Sequence, residues 1–80
     1  MNESPTKQYR ASVQIDFPAA MQAVIDGKKI TKLEWGNEKE YGWLHDGFLK
    51  IHHAGQPDDK HDRWIISDGD LLGHDWVIIQ

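Results

Sequence analysis

The sequence predicts a small α+β domain. It has an antiparallel sheet of four to six short strands, an amphipathic helix near its N-terminus and a short helical turn near its C-terminus. Three observations predict this. Phe17, Ala20, Met21, Val24 and Ile25 recur at the i, i+3, i+4, i+7, i+8 spacing of one helical face. Asp46-Gly47 stands between two β-rich runs, the strongest short hairpin signal. Further short apolar runs are separated by polar segments carrying Gly, Asn and Pro, which break regular structure.

The elements follow in chain order. In "YRASVQI", Tyr9, Ala11, Val13 and Ile15 alternate, which predicts a strand. Asp16 is placed to cap a helix over residues 17–26, Pro18 fits its first turn, and Gly27 suits the left-handed position that ends it. "KKITKLEW" reads as a strand and "GNEK" as a turn. With a two-residue loop at Asp46-Gly47, His45 pairs with Phe48, Leu44 with Leu49, Trp43 with Lys50, Gly42 with Ile51 and Tyr41 with His52. Paired residues share a face. Leu44, Leu49 and Ile51 then form a core face, and Tyr41, Trp43, His45, Phe48, Lys50 and His52 the opposite one. "AGQPDDKHD" is a polar loop and "RWII" a short strand. Ser67 and Asp70 fit a capping box that opens a helical turn. "DWVII" is apolar on both faces, which predicts a central strand.

Composition limits the function. Eighty residues make one domain that buries only about 60% of its unfolded surface, so self-assembly is a natural way to bury more. Cysteine is absent, which removes disulfides and thiolate chemistry. The net charge of −4 argues against DNA or RNA duplex partners, which need a basic surface. No run is long enough to cross a membrane, and "MNESPTKQYR" lacks the apolar segment of a signal peptide, so a cytoplasmic protein is expected. The five histidines fit no zinc spacing, and no metal or cofactor is expected. Ser67 has no visible base, so capping explains it better than nucleophilic catalysis.

The aromatic face leaves three readings open: packing under a helix or a second subunit, stacking of a planar ligand such as a nucleobase, or plain amphipathic exposure. Lys28, Lys29, Lys32 and Arg63 are the cations nearest ordered structure, and Arg63 suits bidentate phosphate binding.

The C-terminal run "WIISDGDLLGHDWVII" resembles a known family whose members carry a Trp, a Ser three residues on, and a DLLA-x-DW block. Here these are Trp64, Ser67, Asp70-Leu71-Leu72 and Asp75-Trp76, with Gly73 in place of Ala. "DGKKITKLEW" is similar to the family's EGKKVRREGW, and Tyr41 follows Trp35 by six residues across a turn. The family is the Thoeris anti-defence two-like family, common in phages and prophages. The resemblance covers residues 17–80 and makes residues 1–16 an N-terminal extension. It implies a sponge that binds a cyclic nucleotide immune messenger without cleaving it. The messenger is a cyclic ADP-ribose isomer or a cyclic oligonucleotide of the CBASS system. It further implies a homo-oligomer, typically a tetramer, acting in the cytoplasm of the infected bacterium. By motif position, Trp35 and Tyr41 would stack the base, and Asn37 would donate to phosphate or ribose. Ser67 would lie in the C-terminal block, and Asp75 would accept from a ribose hydroxyl. Arg63 is assigned to phosphate by local chemistry. A protein–protein module that blocks a host partner, and a hydrolase of the signal, are the alternatives.

Overall fold

The structure, a computed structural model, describes residues 13–79. Helix α1, Phe17–Ile25, is followed by strand β1, Ile30–Lys32, and a 3₁₀ turn, Leu33–Trp35. The hairpin strands β2, Tyr41–His45, and β3, Phe48–His52, come next. The chain ends with β4, Asp62–Arg63, helix α2, Asp68–Leu72, and β5, Trp76–Ile78. The five strands form one antiparallel sheet in the order β4-β3-β2-β1-β5. The fold is α+β, with the helix first and the short helical turn before the last strand.

Local chemistry explains most of this. The Asp16 carboxylate accepts from the Ala19 N–H, closing the start of α1, and Gly27 ends it at φ 91°. Asp46 and Gly47 both adopt positive φ, 54° and 83°, as a tight hairpin turn of matching twist requires. All five expected β2–β3 pairs are present. At α2 the Ser67 hydroxyl accepts from the Asp70 N–H at 3.1 Å, and the Asp70 carboxylate accepts from the Ser67 N–H at 3.2 Å. The capping box is complete.

Helix α1 crosses β1, β2 and β5 on one face of the sheet. Phe17, Ala20, Ala23 and Val24 enter the core there, with Ile30, Ile51, Trp64 and Trp76. The buried stripe is rotated from the expected one: Ala23 is buried and Ile25 exposed, because the helix seats its small residues against bulky indoles. Phe17, Trp35 and Trp64 each approach the fully buried Trp76 ring, at 5.8, 5.3 and 5.7 Å between centroids. A Cβ at Gly42 would sit 2.4 Å from the Trp64 ring, so this strand glycine is the slot that admits an indole beneath the hairpin.

Three expectations are corrected. The run 64–66 is not a strand. β4 ends at Arg63; the Trp64 N–H still donates to the Leu49 carbonyl at 3.1 Å, and its indole fills the space under Gly42. Among the described residues β5 is the edge strand of the named sheet rather than a central one, and its outer side pairs there with Ile15, through reciprocal backbone bonds with Trp76 at 2.9 and 3.2 Å. The strand expected over 28–35 shortens to Ile30–Lys32, since the backbone turns into the 3₁₀ segment at Leu33. The strand expected over 9–15 falls mostly outside the described residues, which show it only as the Ile15 bridge.

Candidate functional site: the open face of the sheet

Pairing parity sorts the sheet residues. Ile30, Gly42, Leu44, Leu49 and Ile51 share the helix side. On the opposite face stand Thr31 and Val77, Tyr41 and His52, Trp43 and Lys50, His45 and Phe48, with Arg63 across from Lys50. Among the described residues, no carboxylate occupies a paired position on this second face. The acidic chain has therefore segregated cations and aromatic rings onto one surface, and no helix of the described chain packs on it through the sheet's paired positions.

The rings interlock. Tyr41 stacks on His52, 5.1 Å and 15° apart, and lies 5.1 Å from Trp43. Trp43 meets His61 edge-on at 5.6 Å, and His61 lies 4.6 Å from His45. Cations sit over these rings. The Lys29 ammonium is 4.8 Å from the Tyr41 centroid and 5.9 Å from that of Trp43. Lys50 and Arg63 lie 5.9 and 5.3 Å from the Phe48 centroid. Tyr41 thus has an imidazole on its β3 side and an ammonium on its β1 side. An anionic ligand can draw Lys29 off the rings and expose them, because an exposed cation–π contact is worth only about 0.5–1 kcal/mol.

At the Tyr41 end, this face opens into a concavity of about 290 Å³, lined by Lys29, Glu38, Lys39, Tyr41, His52, Asp58 and Ile79. That is the lower end of small-ligand pocket volumes. Its two loop walls are held from below. The Glu40 carboxylate accepts from the Ala54 N–H at 2.9 Å and lies 2.8 Å from His53 Nδ1. Burial acts to raise the Glu40 pKa, but the Ala54 N–H and His53 outweigh it and hold the carboxyl below its ordinary value of 4.5.

The six residues expected to bind ligand do not converge within one chain. Tyr41 and Arg63 are both on the open face, two strands apart. Asn37 lies in the turn that enters the Tyr41 end, its side-chain oxygen accepting from the Lys39 N–H at 2.8 Å. Trp35 is on the other side of the sheet, edge-on to Trp64 and Trp76. Ser67 is the cap of α2. Asp75 binds the Lys32 ammonium at 2.9 Å and accepts from the Glu34 N–H at 2.9 Å. The Trp-Ser-Asp-Trp pattern of the C-terminus therefore also has a structural account. Both indoles donate to Asp70, Trp64 to its carboxylate and Trp76 to its carbonyl, each at 3.2 Å.

Lys29 and Trp43 were absent from the expected site. The signal for both was the period of two: Lys29, Thr31, Tyr41 and Trp43 all have the parity of the open face.

The Lys32–Asp75 pair yields a pH prediction. Lys32 is 5% exposed. Burial opposes its charge, but Glu34 and Asp75 overcome this and raise its pKa above 10.5. Asp75 is likewise pushed up by burial and pulled down further by Lys32 and the Glu34 N–H, ending below 3.8. A lowered carboxyl pKa stabilises the fold above the unfolded value, and this is lost as pH falls through the folded value. The raised Lys32 pKa contributes below 10.5 and is lost as pH rises through the folded value. Asp75→Asn is expected to cost about 1.5–3 kcal/mol at neutral pH, the range for a hydrogen bond to a charged group. Urea midpoints should converge between variant and parent as both are taken to acid. An equal gap at every pH would remove the ion pair from the account.

No helix among the described residues is long and apolar enough to cross a membrane. A search of curated proteins found no match to this sequence. A family model does match: the Thoeris anti-defense 2-like domain, over residues 15–79, nearly the whole of the described chain. The helix, the hairpin with its aromatic face and the indole-framed C-terminus are thus the fold of a phage anti-defence domain, and the chain belongs to the Thoeris anti-defense 2-like family.

Proposed function

We propose that this chain acts without catalysis, as a sponge that binds a cyclic nucleotide immune messenger and keeps it from its effector in the cytoplasm of an infected bacterium. The observation that carries this reading is the open face: an aromatic, cationic surface without paired carboxylates, in a chain of net charge −4 that belongs to an anti-defence family. Tyr41 and Trp43 supply stacking area for a base, worth roughly 1–3 kcal/mol per ring. Lys29 at β1 and Arg63 at β4 lie three strand spacings apart, about 14 Å at the backbone, and can hold two phosphates of one ring-shaped ligand. Asn37 stands at the rim of the pocket beside Tyr41. The ligand is a cyclic ADP-ribose isomer or a cyclic oligonucleotide. A sponge is served by slow release more than by fast capture, because it must outlast the receptor.

We further propose that copies assemble, as a tetramer. Ile65 and Leu72 are 81% and 73% exposed, and a domain of this size gains by covering them. In such an assembly Trp35, Ser67 and Asp75 of one copy would approach the ligand of another while keeping their structural partners.

Phe48, half exposed at the hairpin beside Lys50 and Arg63, favours a second reading: an aromatic anchor for a host protein. One experiment separates the two. Native mass spectrometry with a panel of cyclic ADP-ribose isomers and cyclic di- and trinucleotides reads subunit number and ligand mass together. Uptake of a panel member, recovered at unchanged mass after denaturation, is the expected result. A recovered mass altered by hydrolysis would replace the sponge with an enzyme. Uptake of none would shift the assignment to the protein anchor.

A further inference from the structure

His52 is 3% exposed, yet both its ring nitrogens face acceptors. Nδ1 is 2.8 Å from the Lys39 carbonyl oxygen and Nε2 is 3.1 Å from the Pro57 carbonyl oxygen. Neither carbonyl can donate. A neutral imidazole has one N–H and one lone pair, so it can satisfy only one of the two. The other would set a lone pair against a carbonyl oxygen at hydrogen-bond distance in a buried place. Only the doubly protonated ring donates to both.

The two carbonyls belong to the two loops that wall the pocket. Lys39 lies in the turn that also supplies Glu38, and Pro57 precedes Asp58. We infer that doubly protonated His52 is the positioning residue of this pocket, a proton-dependent clamp that holds the 37–40 turn and the 53–58 loop at a fixed separation. The surroundings can carry the charge. Glu40 is close on the turn, and Asp58 and Glu38 line the same cavity. Lys29 and Lys39 on the cavity wall oppose the charge, His53 follows directly after β3, and the Tyr41 ring stacks on the imidazole. When the ring loses its second proton, one carbonyl loses its donor and that wall loses one of its ties, leaving the Glu40–Ala54 bond to hold the loops together. The pocket is therefore formed at lower pH and loosened as pH rises. Its meaning for the messenger rests on the binding proposal above, but the clamp does not.

The test needs no ligand. Nitrogen-detected NMR of the histidine rings, over a pH series on the intact protein, reads how many protons His52 holds. The hydrogen-bonded amides of Lys39, Glu40, Gln56 and Lys60 report on the two loops. The expected result is a doubly protonated His52 at low pH, with these four amides shifting along the same titration curve as its ring. In His52→Phe, which keeps a flat ring against Tyr41 but donates nothing, that curve should vanish. Amide exchange in the 53–58 loop should then quicken by about tenfold or more, the loss of one charge-assisted bond. His53→Gln, which removes the neighbouring titration at Glu40, should leave the curve in place. A singly protonated His52 throughout, or loop amides that follow His53 instead, would overturn the clamp. The ring spectrum of the unaltered protein decides this even if a variant does not fold.

Discussion

Trp76→Ala is expected to remove most of the stability of this domain. The indole is 0% exposed and is packed by Phe17, Trp35 and Trp64, and its N–H is bonded to the Asp70 carbonyl. Truncating a buried Trp to Ala costs about 3–5 kcal/mol, and the orphaned Asp70 carbonyl adds roughly 1 kcal/mol. Eighty residues at about 0.05–0.15 kcal/mol each have a total of only about 4–12 kcal/mol. Urea unfolding followed by far-UV circular dichroism should find the variant unfolded, or with its midpoint lowered to a small fraction of the parent's. Trp76→Phe keeps the ring and loses the donor, and should fall between the two. A Trp76→Ala chain as stable as the parent would mean that the indole cluster is not what holds helix and sheet together.

Trp43→Ala is the corresponding test of function. Trp43 is on the face away from the core, bordered by Tyr41, His45, His61 and the Lys29 ammonium. Removing it takes away one stacking surface, so messenger affinity should fall roughly 5- to 150-fold, equivalent to about 1–3 kcal/mol. Its thermal midpoint should stay near the parent's. Trp35→Ala should behave in the opposite way. Trp35 packs against Trp64 and Trp76 on the helix side, so the first quantity to fall is stability. Isothermal titration calorimetry with the messenger identified by mass spectrometry, run beside melting curves, checks both. If Trp35→Ala abolished binding with an unchanged melting curve while Trp43→Ala bound normally, the site would belong on the indole side of the sheet.

These two tryptophans show where sequence reading stops. Along a strand, Trp35 has the same parity as Thr31 and Lys29, which would put it on the open face. The backbone leaves the period of two at Leu33, and the 3₁₀ turn carries Trp35 to the opposite side. Nothing in "TKLEW" announces that turn. It is stabilised from 41 residues away, by the Asp75 carboxylate on the Glu34 N–H. Trp64 is a similar case. Its run of apolar residues has the composition of a strand, yet the named strand stops at Arg63, and the role of the indole is set by the space under Gly42 on a different strand. The stretch "DWVII", apolar on both faces, predicts a central strand. Among the described strands it is at the edge, and its two faces are apolar for separate reasons: Trp76 fills the core side, and Val77 is buried beside Thr31 on the other.

What the sequence determined by itself was decided by neighbours close along the chain. The Asp16 cap, the Asp46-Gly47 turn with the register of all five hairpin pairs, the Ser67–Asp70 box and hence the α+β order needed no partner farther than a hairpin away. Their physics is backbone geometry and short-range hydrogen bonding, which local residues set. The tertiary structure decided which rings are core and which are exposed, which cations stand over rings, and how His52 comes to bridge two loops. Those outcomes depend on space and on partners brought together by chain folding, and a buried indole or imidazole takes its role from whatever volume and acceptors the rest of the fold leaves it.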